Sequence, residues 1–180
     1  MDFKKVLTII SGEFDRHGVV YALIGGMALG LRGVPRATVD IDFLIKKEDA
    51  ATVKNVLRDY GFTCLYESEN AAQYTSELRP FGSIDFIYAF RPVSLQMLSD
   101  SEKLPVFDDT MEISVLKTED IIGLKIQAIA NNPERESIDK ADIEGLLKLH
   151  GKEADWNKLK RYFGMFEMEG WYEECKKRFG

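Results

Sequence analysis

Leu23-Ile24-Gly25-Gly26-Met27-Ala28, followed after a loop by Val39-Asp40-Ile41-Asp42-Phe43-Leu44-Ile45, is the stretch on which the fold of this chain turns. Val19 to Ile24 is a β-branched and aromatic run of strand length, stopped by Gly25-Gly26. Met27-Ala28-Leu29 then opens a short helical turn ending near Gly30 or Gly33. Pro35 marks a loop, and Val39 to Ile45 is a second strand whose period of two sets its acids apart from Ile41, Phe43 and Ile45. At a rise of about 3.3 Å per residue, Asp40 and Asp42 share one face, roughly 6.6 Å apart at the backbone, and Ile41, Phe43 and Ile45 anchor the other.

Outward from this pair, Phe3, Val6, Leu7, Ile10 and Phe14 recur at helical spacing, with Asp2 placed to cap the helix and Gly18 to end it. Glu48 to Tyr60 is a second helix closed by Gly61, Phe62 to Tyr66 begins a strand, and Gln73 to Leu78 is extended. Ile84 to Phe90 is a third patterned strand, with Ile84 and Phe86 on one face and Asp85 on the other. Leu104 to Phe107 and Met111 to Val115 form a hairpin around Asp108-Asp109-Thr110. A helix capped by Thr118 runs to about Ala130, and another spans Ser137 to Leu149 and ends at Gly151. Trp156, Leu159, Tyr162, Phe163, Phe166 and Trp171 mark short closing helices. The predicted class is α+β: a mixed sheet flanked by helices, with residues 1–115 as its core and a helical cap over 116–180 packed with that core as one domain.

Composition narrows the function. Among 180 residues, 24 Lys and Arg stand against 30 Asp and Glu, a net charge of −6, with 45% apolar residues. This is an ordinary globular chain, neither disordered nor fibrous. Residues 1–150 hold 17 basic and 24 acidic side chains, so duplex DNA binding, which needs a basic footprint, is not expected. Cys64 and Cys175 form no CxxC and read as reduced thiols. The N-terminus lacks the apolar run of a signal peptide or membrane span, so a cytoplasmic location is expected.

If the Asp85 strand lies beside the Asp40–Asp42 strand in matching register, three carboxylates meet. At 4 Å and an effective dielectric of about 20, each like-charged pair costs on the order of 4 kcal/mol, so the cluster calls for protons or cations. Oxygen ligands without His or Cys select Mg²⁺ or Mn²⁺, and two such ions about 3.5–4 Å apart suit an in-line phosphoryl displacement. Gly25-Gly26, at a strand end before a helical turn, lets backbone N–H groups approach a phosphate. It is neither a Walker loop nor a dinucleotide fingerprint.

The glycine pair, Asp40-Ile41-Asp42-Phe43 and Ile84-Asp85-Phe86, in this order and spacing, resemble the DNA polymerase β nucleotidyltransferase superfamily, and most closely its minimal bacterial members of toxin and antitoxin type. Lys125, then Arg135, then Asp139-Lys140-Ala141-Asp142 is similar to a helical segment of these small relatives. The resemblance implies transfer of a nucleoside monophosphate from a nucleoside triphosphate to an acceptor hydroxyl, with release of pyrophosphate. Asp40 and Asp42 would bridge two Mg²⁺ ions, and Asp85 would ligate the catalytic ion and help deprotonate the acceptor. Gly25 and Gly26 would hold the β and γ phosphates, Lys125 would contact the triphosphate, and Thr38 with Arg36 or Arg32 would add phosphate contacts. The acceptor is left open among an RNA end, a protein hydroxyl and a small molecule. The alternative is a non-catalytic module of a toxin–antitoxin-like pair, with the same fold, that binds nucleotide or a protein partner without turnover.

Overall fold

The computed structural model describes all 180 residues. Asp2 accepts a hydrogen bond from the Lys5 amide at 3.1 Å and starts α1 (Phe3–His17); Gly18, at φ 68°, ends it in the left-handed region. The remaining elements of the first part are β1 (Tyr21–Ile24), α2 (Gly25–Leu31), β2 (Asp40–Lys46), α3 (Ala50–Asp59), β3 (Thr63–Glu67), β4 (Ala71–Thr75), β5 (Ser83–Ala89), α4 (Pro92–Ser99), β6 (Glu102–Val106) and β7 (Met111–Val115). Then follow α5 (Thr118–Asn131), α6 (Glu136–His150), α7 (Trp156–Gly164) and α8 (Glu169–Phe179). The fold is α+β, as the alternating patterns predict, on a seven-stranded mixed sheet of order β3-β4-β5-β2-β1-β7-β6.

The chain divides into two compact units: Met1–Ala28 with Arg36–Leu116, and Leu29–Pro35 with Lys117–Gly180. The first unit holds the whole sheet. In β2 the burial alternates from Asp40 to Phe43, with Ile41 and Phe43 fully buried. Phe14 of α1 meets Phe43, Phe86 and Tyr21 edge-on, with ring centroids 5.6, 6.2 and 5.4 Å apart. Each such fully buried side chain stabilises by about 1.5–3 kcal/mol, so this aromatic cluster fixes the helix against one face of β2 and β5. The opposite face of these two strands carries Asp40, Asp42 and Asp85.

The second unit is helical. Tyr162 donates its hydroxyl to Asp120 Oδ1, and Lys158 Nζ lies 2.8 Å from Asp120 Oδ2, so this fully buried carboxylate is paired. Phe163 contacts Trp171 and Tyr172, which makes the aromatic tail a core. The segment Leu29–Pro35, the end of α2 and the turn after it, joins this unit: His150 Nε2 lies 2.7 Å from the Arg32 carbonyl, and Val34 packs where a Cβ on Gly145 would stand 3.0 Å from it.

Two local expectations need correction. Thr118 is the first residue of α5, not its cap; Lys117 precedes it and supplies no side-chain cap bond. Gly151 does end α6, as expected, and its lack of a side chain admits the carbonyl oxygens of Leu147 and Phe179, each 2.5 Å from where a Cβ would be. The helix predicted over 48–60 begins as a 3-10 turn, Lys47–Asp49, before α3. Helix α4 was not anticipated, since it is short and its apolar residues Val93, Leu95, Met97 and Leu98 follow no clear helical period; Pro92 at its start was the available signal. No helix is long and apolar enough to cross a membrane.

Candidate active site

β2 and β5 run parallel in the register Asp40↔Ser83, Ile41↔Ile84, Asp42↔Asp85. The alternation that buries Phe43 and Phe86 on one face therefore puts Asp42 beside Asp85 on the other, with Asp40 two residues along. Carboxylate oxygens of Asp40, Asp42 and Asp85 all lie within 4.8 Å of one another, and all three residues are half-buried.

Each acid is held differently. The Thr38 hydroxyl donates to Asp40 Oδ1 at 2.6 Å, anchoring that side chain from the loop before β2. Asp42 fits against Gly25: a Cβ there would overlap its carboxylate, and Gly25 itself sits at φ 63°, where L side chains are strained. Gly26 does the same for Thr38, whose Cβ would stand 2.7 Å from a Cβ at that position, with the Arg36 stem nearby. The glycine pair is thus required by the packing of Asp42 and Thr38, a reason independent of any phosphate. Asp85 Oδ2 accepts from Gln73 Nε2 at 3.3 Å, whereas its Oδ1 is buried with no partner. Burial pushes the Asp85 carboxyl above the usual carboxylate range; the Gln73 bond opposes that shift and the Asp40 charge adds to it.

A cluster of three carboxylates that includes a buried oxygen without a donor is an arrangement that a cation satisfies and a closed hydrogen-bond network does not. The donor set is all oxygen, which fits a hard divalent ion such as Mg²⁺ or Mn²⁺. Gly25→Ala tests the cradle: the added methyl should displace Asp42, cost roughly 1 kcal/mol or more of stability from the positive φ, and weaken Mn²⁺ binding measured by titration. Unchanged metal affinity would show that Asp42 does not depend on the missing side chain.

The remaining expected residues belong to the helical unit. Lys125, in the helical unit, is nearly buried between Asp139 Oδ1 at 2.8 Å and Asp142 Oδ2 at 2.7 Å, and Arg135 Nε reaches Asp139 Oδ2 at 2.9 Å. Lys, Arg and both Asp therefore form one ion network in that unit. Burial by itself would raise the Asp139 carboxyl, but Arg135 and Lys125 together hold it below the usual range. Two groups escaped the sequence reading. Gln73 sits opposite Asp85 across β4 and β5, and Asp120 pairs with Lys158 and Tyr162 over some forty residues. Neither carries a local signal, because the partner is chosen by strand register or helix packing.

Comparison with known proteins agrees with this architecture. The structure is similar to that of the antibiotic-resistance factor ANT(2'')-Ia, at 16% identity, covering 100% of both chains with a TM-score of 0.65. It is also similar to the lincomycin-bound lincosamide antibiotic adenylyltransferase LnuA, at 18% identity, covering 81% of this chain and 96% of that one with a TM-score of 0.57. An antigenic nucleotidyltransferase-like protein from Paracoccidioides brasiliensis matches at 16% identity, over 97% of this chain and 91% of that one, with a TM-score of 0.59. At such identities the likeness shows the fold. No protein of curated function matches in sequence. The family model described as nucleotidyl transferase AbiEii toxin, type IV toxin–antitoxin system, matches residues 10–169, and this chain belongs to that nucleotidyltransferase family.

Proposed function

We propose that this chain is a Mg²⁺- or Mn²⁺-dependent nucleotidyltransferase that moves a nucleoside monophosphate from a nucleoside triphosphate to an acceptor hydroxyl. The observation that carries this reading is the convergence of Asp40, Asp42 and Asp85 with one buried Asp85 oxygen left without a partner. Family membership supports nucleotidyl transfer as the general chemistry.

In the reaction, the acceptor oxygen forms a bond to the α-phosphorus, the α–β phosphoanhydride bond breaks, and pyrophosphate leaves. Two divalent ions, when bound, would neutralise the charge on the attacking and leaving oxygens. Asp40 and Asp42 would hold them, with Thr38 fixing the Asp40 rotamer and Gly25 leaving room for Asp42. Asp85 would ligate one of the ions and help take the acceptor proton; in the protein alone, burial holds its carboxyl above the usual carboxylate range. Gly25 and Gly26 offer backbone N–H groups to the phosphates, with the Arg36 side chain beside them. Lys125 spends two of its three ammonium N–H donors on Asp139 and Asp142, so the triphosphate contact implied for it has one donor left. ANT(2'')-Ia was solved with adenylyl-2"-tobramycin and LnuA with lincomycin, which puts small hydroxylated molecules among the acceptors to test for this chain.

Calorimetric titration of each nucleoside triphosphate, with and without Mg²⁺ or Mn²⁺, into wild type and Asp40→Asn/Asp42→Asn protein tests the site. Metal-dependent binding in wild type that the double variant loses is the expected result and identifies the base. A stoichiometric protein partner with nucleotide binding but no turnover would instead identify a non-catalytic module.

A further inference from the structure

We infer that the open face of β5, β4 and β3 beside Asp85 seats the acceptor, and that the acceptor is a neutral or cationic hydroxylated small molecule. This rests on the nucleotidyl-transfer reading above and extends it to the partner of the reaction.

Strand register lays out a row across the sheet. Asp42 pairs with Asp85, Asp85 with Gln73, and Gln73 with Tyr66. Cα partners in neighbouring strands share a face, and strands lie about 4.8 Å apart, so Tyr66 stands roughly 10 Å from Asp85 at the backbone along that row. Two residues to either side on the same face are Ala71 and Thr75 on β4, and Ser83 and Ile87 on β5. Four of these neighbours set the limits: Ala71, Thr75 and Ser83 are small, and Ile87 is 40% exposed. Tyr66 is 58% exposed at the edge strand. The reverse face of these strands is closed, with Tyr74, Ile84, Phe86 and Tyr88 each at most 5% exposed.

An open sheet face with no ligand ordinarily carries charge, Lys above all on an edge strand. Here the floor is neutral apart from Asp85. It offers the Gln73 amide, a Ser83–Thr75 hydroxyl pair 3.4 Å apart, and an aromatic ring at its outer end. Such a set hydrogen-bonds hydroxyls and stacks the apolar face of a ring, and the Tyr66 ring also attracts an ammonium group. None of these positions is Lys or Arg. The sheet-bearing unit holds 11 basic and 17 acidic side chains, so a cationic acceptor would be drawn in, whereas a polyanionic acceptor, unlike a triphosphate carried on divalent ions, would meet no cation on these three strands. The face is continuous with the reacting carboxylates through the Gln73–Asp85 bond, which is why it suits the acceptor.

Two measurements test the seat. In transfer assays with labelled nucleoside triphosphates and Mg²⁺, the probes are amino-substituted oligosaccharides, their neutral N-acetylated forms, and a short single-stranded RNA with a free 3′ hydroxyl. The sugars should be labelled in preference to RNA. Tyr66→Ala should raise the acceptor KM about tenfold, the scale of one aromatic stacking contact, with kcat and the donor KM within about twofold. Tyr66→Lys should raise the KM of the amino-substituted probes further than that of the neutral ones. Preferential labelling of RNA, or an acceptor KM indifferent to both substitutions, overturns the proposal. The second measurement needs no turnover: amino-oligosaccharide titrated without nucleotide should shift the amide resonances of Tyr66 and Gln73, and no shift in wild type also overturns the seat. Failure of the nucleotidyl-transfer reading is distinct from either result, since it appears as nucleotide binding that ignores Asp40→Asn/Asp42→Asn.

Discussion

Asp42→Asn is expected to lower nucleotidyl transfer by at least about a thousandfold while leaving the fold intact, the scale on which loss of a principal transition-state charge stabiliser is felt. The substitution is nearly isosteric, and Asp42 lies on the half-buried face, outside the aromatic core of Phe14, Phe43 and Phe86. It removes a negative charge from a cluster in which the three carboxylates lie within 4.8 Å of one another. In the absence of metal the variant should therefore be as stable as wild type or more stable, because like-charge repulsion is relieved. Thermal melts without and with Mn²⁺ separate the two effects: wild type gains stability from the ion and the variant does not, by linkage. A variant that retains transfer within tenfold would remove Asp42 from the reaction.

Lys125→Met is the second large effect, and it falls on stability. Lys125 is the ammonium between Asp139 and Asp142, and Asp139 is only 1% exposed. Taking away one member of a buried ion network leaves uncompensated charge and costs about 3–5 kcal/mol. For a chain of this size that corresponds to a fall in Tm of roughly 6–20 °C. If the triphosphate were instead the main partner of Lys125, the substitution would raise the donor KM and leave Tm near its original value. The same network gives a pH dependence. Because the folded Asp139 carboxyl is held below its unfolded value of about 3.9, its contribution is fully present above that pH and is lost as pH falls through the lower, folded value. Acid titration of wild type should show that loss below about pH 4, and Lys125→Met should show less of it.

What could be read along the chain is what neighbours in sequence impose. Period-two alternation placed Asp40 and Asp42 on one strand face and Phe43 on the other, and gave Asp85 the face opposite Ile84 and Phe86, since successive Cβ atoms must point to opposite sides. The first helix, with its Asp2 cap and Gly18 end, was legible for the same reason. The glycine pair was legible as a special position, although its role in admitting Asp42 and Thr38 needs the folded neighbours. Short α4 was missed because eight residues hold too few turns for a period to emerge.

The remainder was settled by packing between distant segments. Whether Asp85 lies beside Asp42 or one residue away is a question of β2–β5 register, and a slip of one would send its carboxylate to the aromatic core. Gln73 and Tyr66 enter the row only through that same register, carried across β4 and β3. Lys125 is separated from Asp139 and Asp142 by a helix end and a 3-10 turn, and the three meet because the interhelical contact buries them together and unpaired charge cannot be buried. The segment Leu29–Pro35 belongs with the helical unit although it interrupts the sheet-forming sequence, since Val34 and the Arg32 carbonyl find their partners at Gly145 and His150. Backbone geometry makes face and cap local properties; register, burial and charge pairing exist only once segments far apart in the chain have been brought into contact.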